Sequence, residues 1–165
     1  ILSLGKASAD ISGLSTTSVL SVSSSAGASM KISDCRAKEF SLSGGGGNFS
    51  LSGISADRAD FSLKSGEIVG ENVAFTELSS SSESVSLDLR SLEVSKASVN
   101  SVSGQVALRL SSDLKDFAVE LAAKNASVFL NDVHYSSSYS IPNESAEKSI
   151  TVNTDTASIL LNAAK

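Results

Sequence analysis

Hydrophobic and polar residues alternate along this chain in short bursts that recur. Phe49 and Leu51 stand at strand spacing, and a third apolar residue, Ile54, follows three positions after Leu51. The same figure returns along the chain, with the position of Leu51, termed the anchor, occupied by Ile11, Ile32, Leu51, Gly70, Leu89, Leu110, Leu130 and Leu161. Successive anchors lie 21, 19, 19, 19, 21, 20 and 31 residues apart. Two residues before them stand Ala9, Met30, Phe49, Ile68, Leu87, Leu108, Val128 and Ile159. Alternation with a period of two predicts one half-buried strand at each of these places. Three residues after the anchor come Leu14, Cys35, Ile54, Val73, Leu92, Asp113 with Leu114 beside it, and Val133. An odd spacing reverses side-chain direction on a straight strand, so keeping both residues inside requires a bend between them.

A second alternating pair precedes the anchor by about ten residues: Leu20 and Val22, Phe40 and Leu42, Phe61 and Leu63, Ala97 and Val99, Phe117 and Val119, Ile150 and Val152. Turn-forming residues separate it from the anchor strand, among them Gly44 to Gly47, Ser65-Gly66 and Ser103-Gly104. Each repeat therefore reads as strand, turn, strand, bend and short strand. Hairpin proteins need no fixed period, whereas a solenoid must close every coil on the same perimeter. The expected fold is all-β: a right-handed single-chain parallel β-solenoid, or β-helix, of about 8 coils of ~20 residues, spanning 1–165 as one domain. At ~4.8 Å per coil the stack is roughly 40 Å long.

The last interval is longer than the others, which places an insertion near 134–149. This segment and its border hold the only proline, Pro142, both tyrosines, Tyr135 and Tyr139, and Ile141. Outward positions turn apolar at the same end, at Phe129 and Leu160. The expectation is a cap in which Tyr139 or Ile141 covers Phe129 and Leu160, because a solenoid end must block edge-on pairing. The competing expectation makes Phe129 and Leu160 an interface for another subunit or a ligand.

Composition changes the picture in one respect: 39 of 165 residues are serine, a bias that often marks a flexible linker. A 41% hydrophobic fraction and a mean hydropathy of +0.11 argue instead for a packed core. On the repeat, Ser21, Ser41, Ser62 and Ser98, and likewise Ser29, Ser50, Ser86, Ser127 and Ser158, fall on outward positions. Asp10 beside Lys31, and Asp88 beside Arg109, are expected as opposite-charge neighbours on adjacent coils. A net charge of -5, with 13 Lys and Arg scattered singly, offers no basic stripe and excludes nucleic acid as a partner. No apolar run approaches the ~18 residues of a membrane span, and no leader pattern opens the chain. Ile1 is not an initiator methionine, so the expectation is a piece of a longer protein, with any targeting or membrane segment outside it. A lone Cys35 excludes an internal disulfide.

The stretch from Val99 to Leu108, with its Ser103-Gly104 turn, followed by Phe117 to Leu121, resembles the repeating unit of the bacterial putative-adhesin family. The likeness covers roughly residues 20 to 165. The family's turn is commonly Ser-Gly-Asp; here the turns read Gly44 to Gly47, Ser65-Gly66-Glu67, Ser103-Gly104-Gln105 and Asn153-Thr154-Asp155. The resemblance implies a cell-envelope or secreted bacterial β-solenoid domain of unassigned function, with no catalytic residue to carry over.

Candidate chemistry is sparse. His134 is the only histidine and, following Val133, should point outward; Cys35 shares a core slot with Ile54 and Val73. Asp57, Asp60, Glu67 and Glu71, with Arg58 among them, form the densest acidic group, but at different phases of the repeat. Gly44 to Gly47 lacks the Lys-Ser/Thr and helix of a phosphate loop. The outward serines lack the regular Thr-x-Thr of ice-binding ladders. The reading is a non-catalytic structural or adhesion module with no cofactor or metal, and with Phe129, Leu160, Tyr135, Tyr139 and Ile141 as its interaction or cap patch. A surface glycan, another protein or self-association are its candidate partners. The alternatives are a carbohydrate-active β-helix enzyme using Asp57, Asp60 or Glu67, and a module that self-assembles end to end.

Overall fold

The computed structural model describes residues 1–5, 8–25, 27–143 and 145–164. Its strands are β1 (Leu2–Leu4), β2 (Ser8–Ser12), β3 (Val19–Ser24), β4 (Ala28–Ser33), β5 (Arg36–Gly44), β6 (Gly47–Ser52) and β7 (Ser55–Glu71). They continue as β8 (Ala74–Leu110), β9 (Phe117–Ala123), β10 (Val128–Leu130), β11 (Val133–Tyr135), β12 (Ser138–Ile141), β13 (Lys148–Thr154) and β14 (Ser158–Asn162). One 3-10 turn, Leu114–Asp116, interrupts them. The protein is all-β.

The strands form two columns within one 14-stranded sheet. One runs β1-β3-β5-β7-β8-β13-β9-β12, and the other takes in β2, β4, β6, β7, β8, β14, β10 and β11. The columns share β7 and β8 because these long strands pass through the turn and carry both halves of a repeat. Pairing is parallel except where β11 meets β10 and β12 meets β9, so the sheet is mixed. A short third column follows the bend, where Ser15 bridges Arg36, Arg36 pairs with Ser55, and Ser55 with Ala74. Inward side chains of all three columns merge into a single hydrophobic cluster.

The anchors stack as the pattern predicts through Ile11, Ile32, Leu51, Gly70 and Leu89, each opposite the next. The predicted bend lies two residues after each of these, and its backbone is left-handed in every case: Gly13 (φ 68°), Asp34 (52°), Gly53 (61°), Asn72 (53°) and Ser91 (49°). Glycine takes this conformation without a Cβ clash, and Asn and Asp tolerate it better than other side chains. The bend leaves the hydrogen-bond ladder intact. Gly13, Asp34, Gly53 and Asn72 donate their N–H to the next repeat at 2.9–3.1 Å. Two residues on, Arg36, Ser55, Ala74 and Glu93 donate back to the corner carbonyls of Leu14, Cys35, Ile54 and Val73 at 2.8–3.0 Å. The corner residues Cys35, Ile54, Val73 and Leu92 are consequently buried.

Several expectations are corrected. Leu108 rather than Leu110 joins the anchor row, opposite Leu161, and Leu42, not Phe40, lies opposite Phe61. Likewise Ile150 faces Val119, not Phe117. Each is a slip of two residues, which keeps the same side chains inward and so leaves no trace in the alternation. The order of the last layers is also not sequential: β13 lies between β8 and β9, and β14 between β8 and β10. Leu130 therefore pairs with Leu161, and the segment 117–130 forms the last parallel layer, with β11 and β12 beyond it. Leu14 and Val133 are not core residues, being 45% and 54% exposed, since each sits on a terminal layer with no strand beyond it. Serine is not always outward either. Ser24, Ser80, Ser101 and Thr154 are buried. Three of them satisfy themselves on nearby carbonyls: Ser24 on Gly46, Ser101 on Ser103 and Thr154 on Ala157.

Between the two columns the chain turns on stacked backbone. Gly66 lies opposite Gly47 with φ at 118°, and a Cβ placed on it would strike the Gly47 carbonyl oxygen. Gly66→Ala is expected to lose at least about 2 kcal/mol, from a φ that L-residues rarely adopt together with the clash. At the bend, Asn72→Val should lose about 1–2 kcal/mol while Asn72→Gly changes little. Urea denaturation of the three variants measures both effects.

Candidate functional site

The far end of the sheet is built by a reversal of the chain. After β10, Asn131 and Asp132 both adopt left-handed φ, 47° and 63°, a two-residue hairpin turn that suits Asn and Asp. The hairpin returns β11 antiparallel along β10, pairing Val128 with Tyr135, Phe129 with His134 and Leu130 with Val133. The chain then runs β12 antiparallel along β9, with Tyr139 opposite Leu121 and Ile141 opposite Val119. Side-chain amides fix the turn: Asn131 Oδ1 accepts from the Ala163 N–H at 3.0 Å, and Asn162 Nδ2 donates to Asp132 Oδ1 at 3.3 Å.

This geometry divides the five candidate residues between two faces. Cross-strand partners share a side of the sheet, so Tyr135, Tyr139 and Ile141, opposite the inward Val128, Leu121 and Val119, extend the hydrophobic interior past the last parallel layer. All three pack against the core cluster. The tyrosine rings lie 4.4 Å apart. Burial, and secondarily Tyr139, push the Tyr135 phenol above its ordinary value of 10.0. Phe129 and Leu160 are register partners on the outer face and are half-buried. Their neighbour is His134, whose ring centroid stands 5.0 Å from that of Phe129 and whose Nε2 lies 3.1 Å from Ser127 Oγ. The insertion thus pairs with the edge strands, but Tyr139 and Ile141 do not cover Phe129 and Leu160 as expected.

The acidic residues do not converge. Asp60 is tied to Arg58 by a 2.8 Å contact on the face of the first column. Glu67 stands on the second column between Asn48 and Ser86, Glu71 lies opposite Arg90, and Asp57 lies exposed beyond the bend. Among the described residues no three His, Cys, Asp or Glu side chains form a group able to hold a metal. Among the described residues the ion pairs Arg58–Asp60 and Arg90–Asp88 join positions two apart on one strand, and Arg109–Asp88 crosses between layers. Glu39, Arg58 and Glu77 are successive register partners, so charge alternates from layer to layer. The hydrogen bond and charge of Asp60 hold the Arg58 guanidinium still more firmly protonated, and Asp88 does the same for Arg90. Asp88 also contacts Arg109 as the sequence suggested, and Asp10 lies opposite Lys31. His134 is exposed, and Cys35 is buried with its Sγ 3.2 Å from the Ser33 carbonyl oxygen. A shallow trough of about 680 Å³ lies on the outer face of β2, β4 and β6, bordered by Asp10, Lys31, Asn48 and Glu67.

The two columns, the repeated bends and most of the capping end fall within residues 2–161, which match the family model described as Toastrack DUF4097. The chain belongs to the Toastrack DUF4097 family. This is a family of domains of unknown function, so membership supplies neither a ligand nor an adhesive activity. No curated protein and no solved structure matches the chain. In this Toastrack domain, the left-handed bend residues went unnoticed in the sequence although their signal is present: Gly13, Asp34, Gly53, Asn72 and Ser91 recur at the repeat period, and four of the five are Gly, Asn or Asp.

Phe129→Ser removes half-buried apolar surface between Leu160 and His134 and should cost the Toastrack domain about 1–2 kcal/mol, read by thermal melting. A variant that melts normally but loses self-association would instead mark the pair as an interface. Tyr135 supplies a pH dependence. Its folded-state value is raised, so its contribution to stability is complete below the ordinary tyrosine value and is lost as pH rises through the folded one. Tyr135→Phe should accordingly flatten the fall of the urea midpoint above about pH 10.

Proposed function

We propose that this domain is a right-handed parallel β-solenoid of about eight coils that serves as a non-catalytic structural or adhesive module in a bacterial envelope or secreted protein. Register steps of 19–21 residues from β1 through the β7–β8 pairing, with largely parallel pairing, support the solenoid reading. The observation that carries the functional one is the dispersal of the ionisable side chains. Catalysis by carboxylates requires two of them, or one and a positioned partner, converging on a substrate. Here Asp60 is committed to Arg58, while Glu67 and Asp57 stand on different columns.

The outer face of the first column carries a row suited to contact rather than chemistry. Ser3, Ser23, Ser43, Ser62 and Ser81 are successive register partners. Asn100 and Asn153 continue the polar row on β8 and β13, with their amides 3.5 Å apart. A flat row of small hydrogen-bonding groups at the ~4.8 Å strand spacing suits repeated weak contacts to an extended glycan or to another protein surface. The acidic net charge disfavours nucleic acid.

The test is a variant with Asp57→Asn, Asp60→Asn and Glu67→Gln combined. Wild type and variant are expected to be equally inert on a panel of acidic and neutral polysaccharides and to bind the same glycans on an array. Turnover by the wild type that vanishes in the variant would overturn the non-catalytic reading.

A further inference from the structure

The unusual order of the last layers creates a slot inside the molecule. β8 and β9 are consecutive strands, yet they do not pair; β13 stands between them with parallel hydrogen bonds on both edges, and β14 likewise separates β8 from β10. Without residues 148–162 the two walls face each other across two strand spacings, about 10 Å. Both walls then present unpaired backbone and apolar side chains such as Val99, Leu108, Val119 and Leu121. The segment fills that space completely: Ile150, Val152, Ala157, Ile159 and Leu161 are each at most 1% exposed. Its tether is slight by comparison. Pro142, Ser145 and Glu147 are exposed, and among the described residues of the tether Asn143 Nδ2 donates to the Lys115 carbonyl at 3.2 Å.

We propose that residues 148–162 are an exchangeable insert, and that the slot between β8 and β9–β10 accepts the same segment from a second copy of this chain. The occupant is specified by the structure itself. Every inward side chain and every ladder bond of the insert is reproduced when it comes from a partner, and only the tether must change its path. An insert bonded on both edges yields a reciprocal dimer in which neither copy's slot is complete without the other's segment. A strand added at an outer edge would leave the acceptor's interior unchanged.

Two experiments test this. Deleting residues 143–146 makes the tether too short to fold back, so the variant is expected to sediment mainly as a dimer, at twice its own monomer mass, which is slightly below the 16.9 kDa of the full chain. A folded monomer of that variant would overturn the proposal. Separately, Ser98 and Thr151 are register partners on β8 and β13. A Ser98→Cys chain and a Thr151→Cys chain, denatured, mixed at high concentration and refolded under mild oxidation, are expected to yield a heterodimer joined between the two introduced thiols. The double variant in one chain, refolded dilute, provides the intramolecular bond as a reference. Closure of that reference bond without any cross-linked heterodimer in the mixture would overturn the proposal, as would a heterodimer linked at other positions.

Discussion

The whole architecture depends on a backbone hydrogen-bond ladder that continues across a corner. A parallel strand satisfies its polar groups only through neighbours on both sides, so a chain that winds back on itself must return each strand to the same height and register. Here that requirement is met after the anchors from Ile11 to Leu89 by one left-handed residue each, which turns the chain while the N–H of Gly13, Asp34, Gly53 and Asn72 still reaches the next repeat. The burial of Cys35, Ile54, Val73 and Leu92 follows from the same device, because it restores their side chains to the interior. Phe61 then packs edge to face with Phe40 on the neighbouring strand of its own column and with Phe75, the centroids 6.2 and 6.1 Å apart.

Much of this could be read from residues alone, and the limits are physical. The period near 20 residues, the anchors from Ile11 to Leu89 and the need for a bend all follow from which side chains must avoid water. Register is a different kind of information. Moving Phe61 from Phe40 to Leu42, or Leu161 from Leu110 to Leu108, leaves every apolar residue facing inward, so hydrophobic pattern is blind to it. What decides those positions is backbone: Gly66 can lie only where a Cβ is not required, against the Gly47 carbonyl. The buried Ser24 and Ser101 were obscured for a related reason. They sit beside the glycine turn, where free carbonyls make a hydroxyl as acceptable inside as a methyl.

The candidate patch was legible in its location and not in its division. An insertion carrying Pro142 and both tyrosines marked the end of the stack, and the capping strands are there. Whether Tyr139 faced Phe129 or Leu121 depended on the antiparallel return through Asn131 and Asp132, which a repeat count does not encode. The outcome is an end closed by extension of the core through Tyr135, Tyr139 and Ile141, with Phe129, Leu160 and His134 left on the outer surface. Surface chemistry elsewhere is a set of rows, hydroxyls in one and alternating charges in another, arranged by register rather than gathered at a point.

The order of the final layers is the feature that separates this account from simple sequential stacking. Both 117–130 and 148–161 carry inward residues able to follow Val99 and Leu108, and the structure gives that place to the later segment. Methyl–methyl nuclear Overhauser contacts measure the choice directly. Strong contacts of Val99 with Val152 and of Val152 with Leu121 are expected, with none between Val99 and Leu121. A direct Val99–Leu121 contact, with Val152 close to neither, would contradict it.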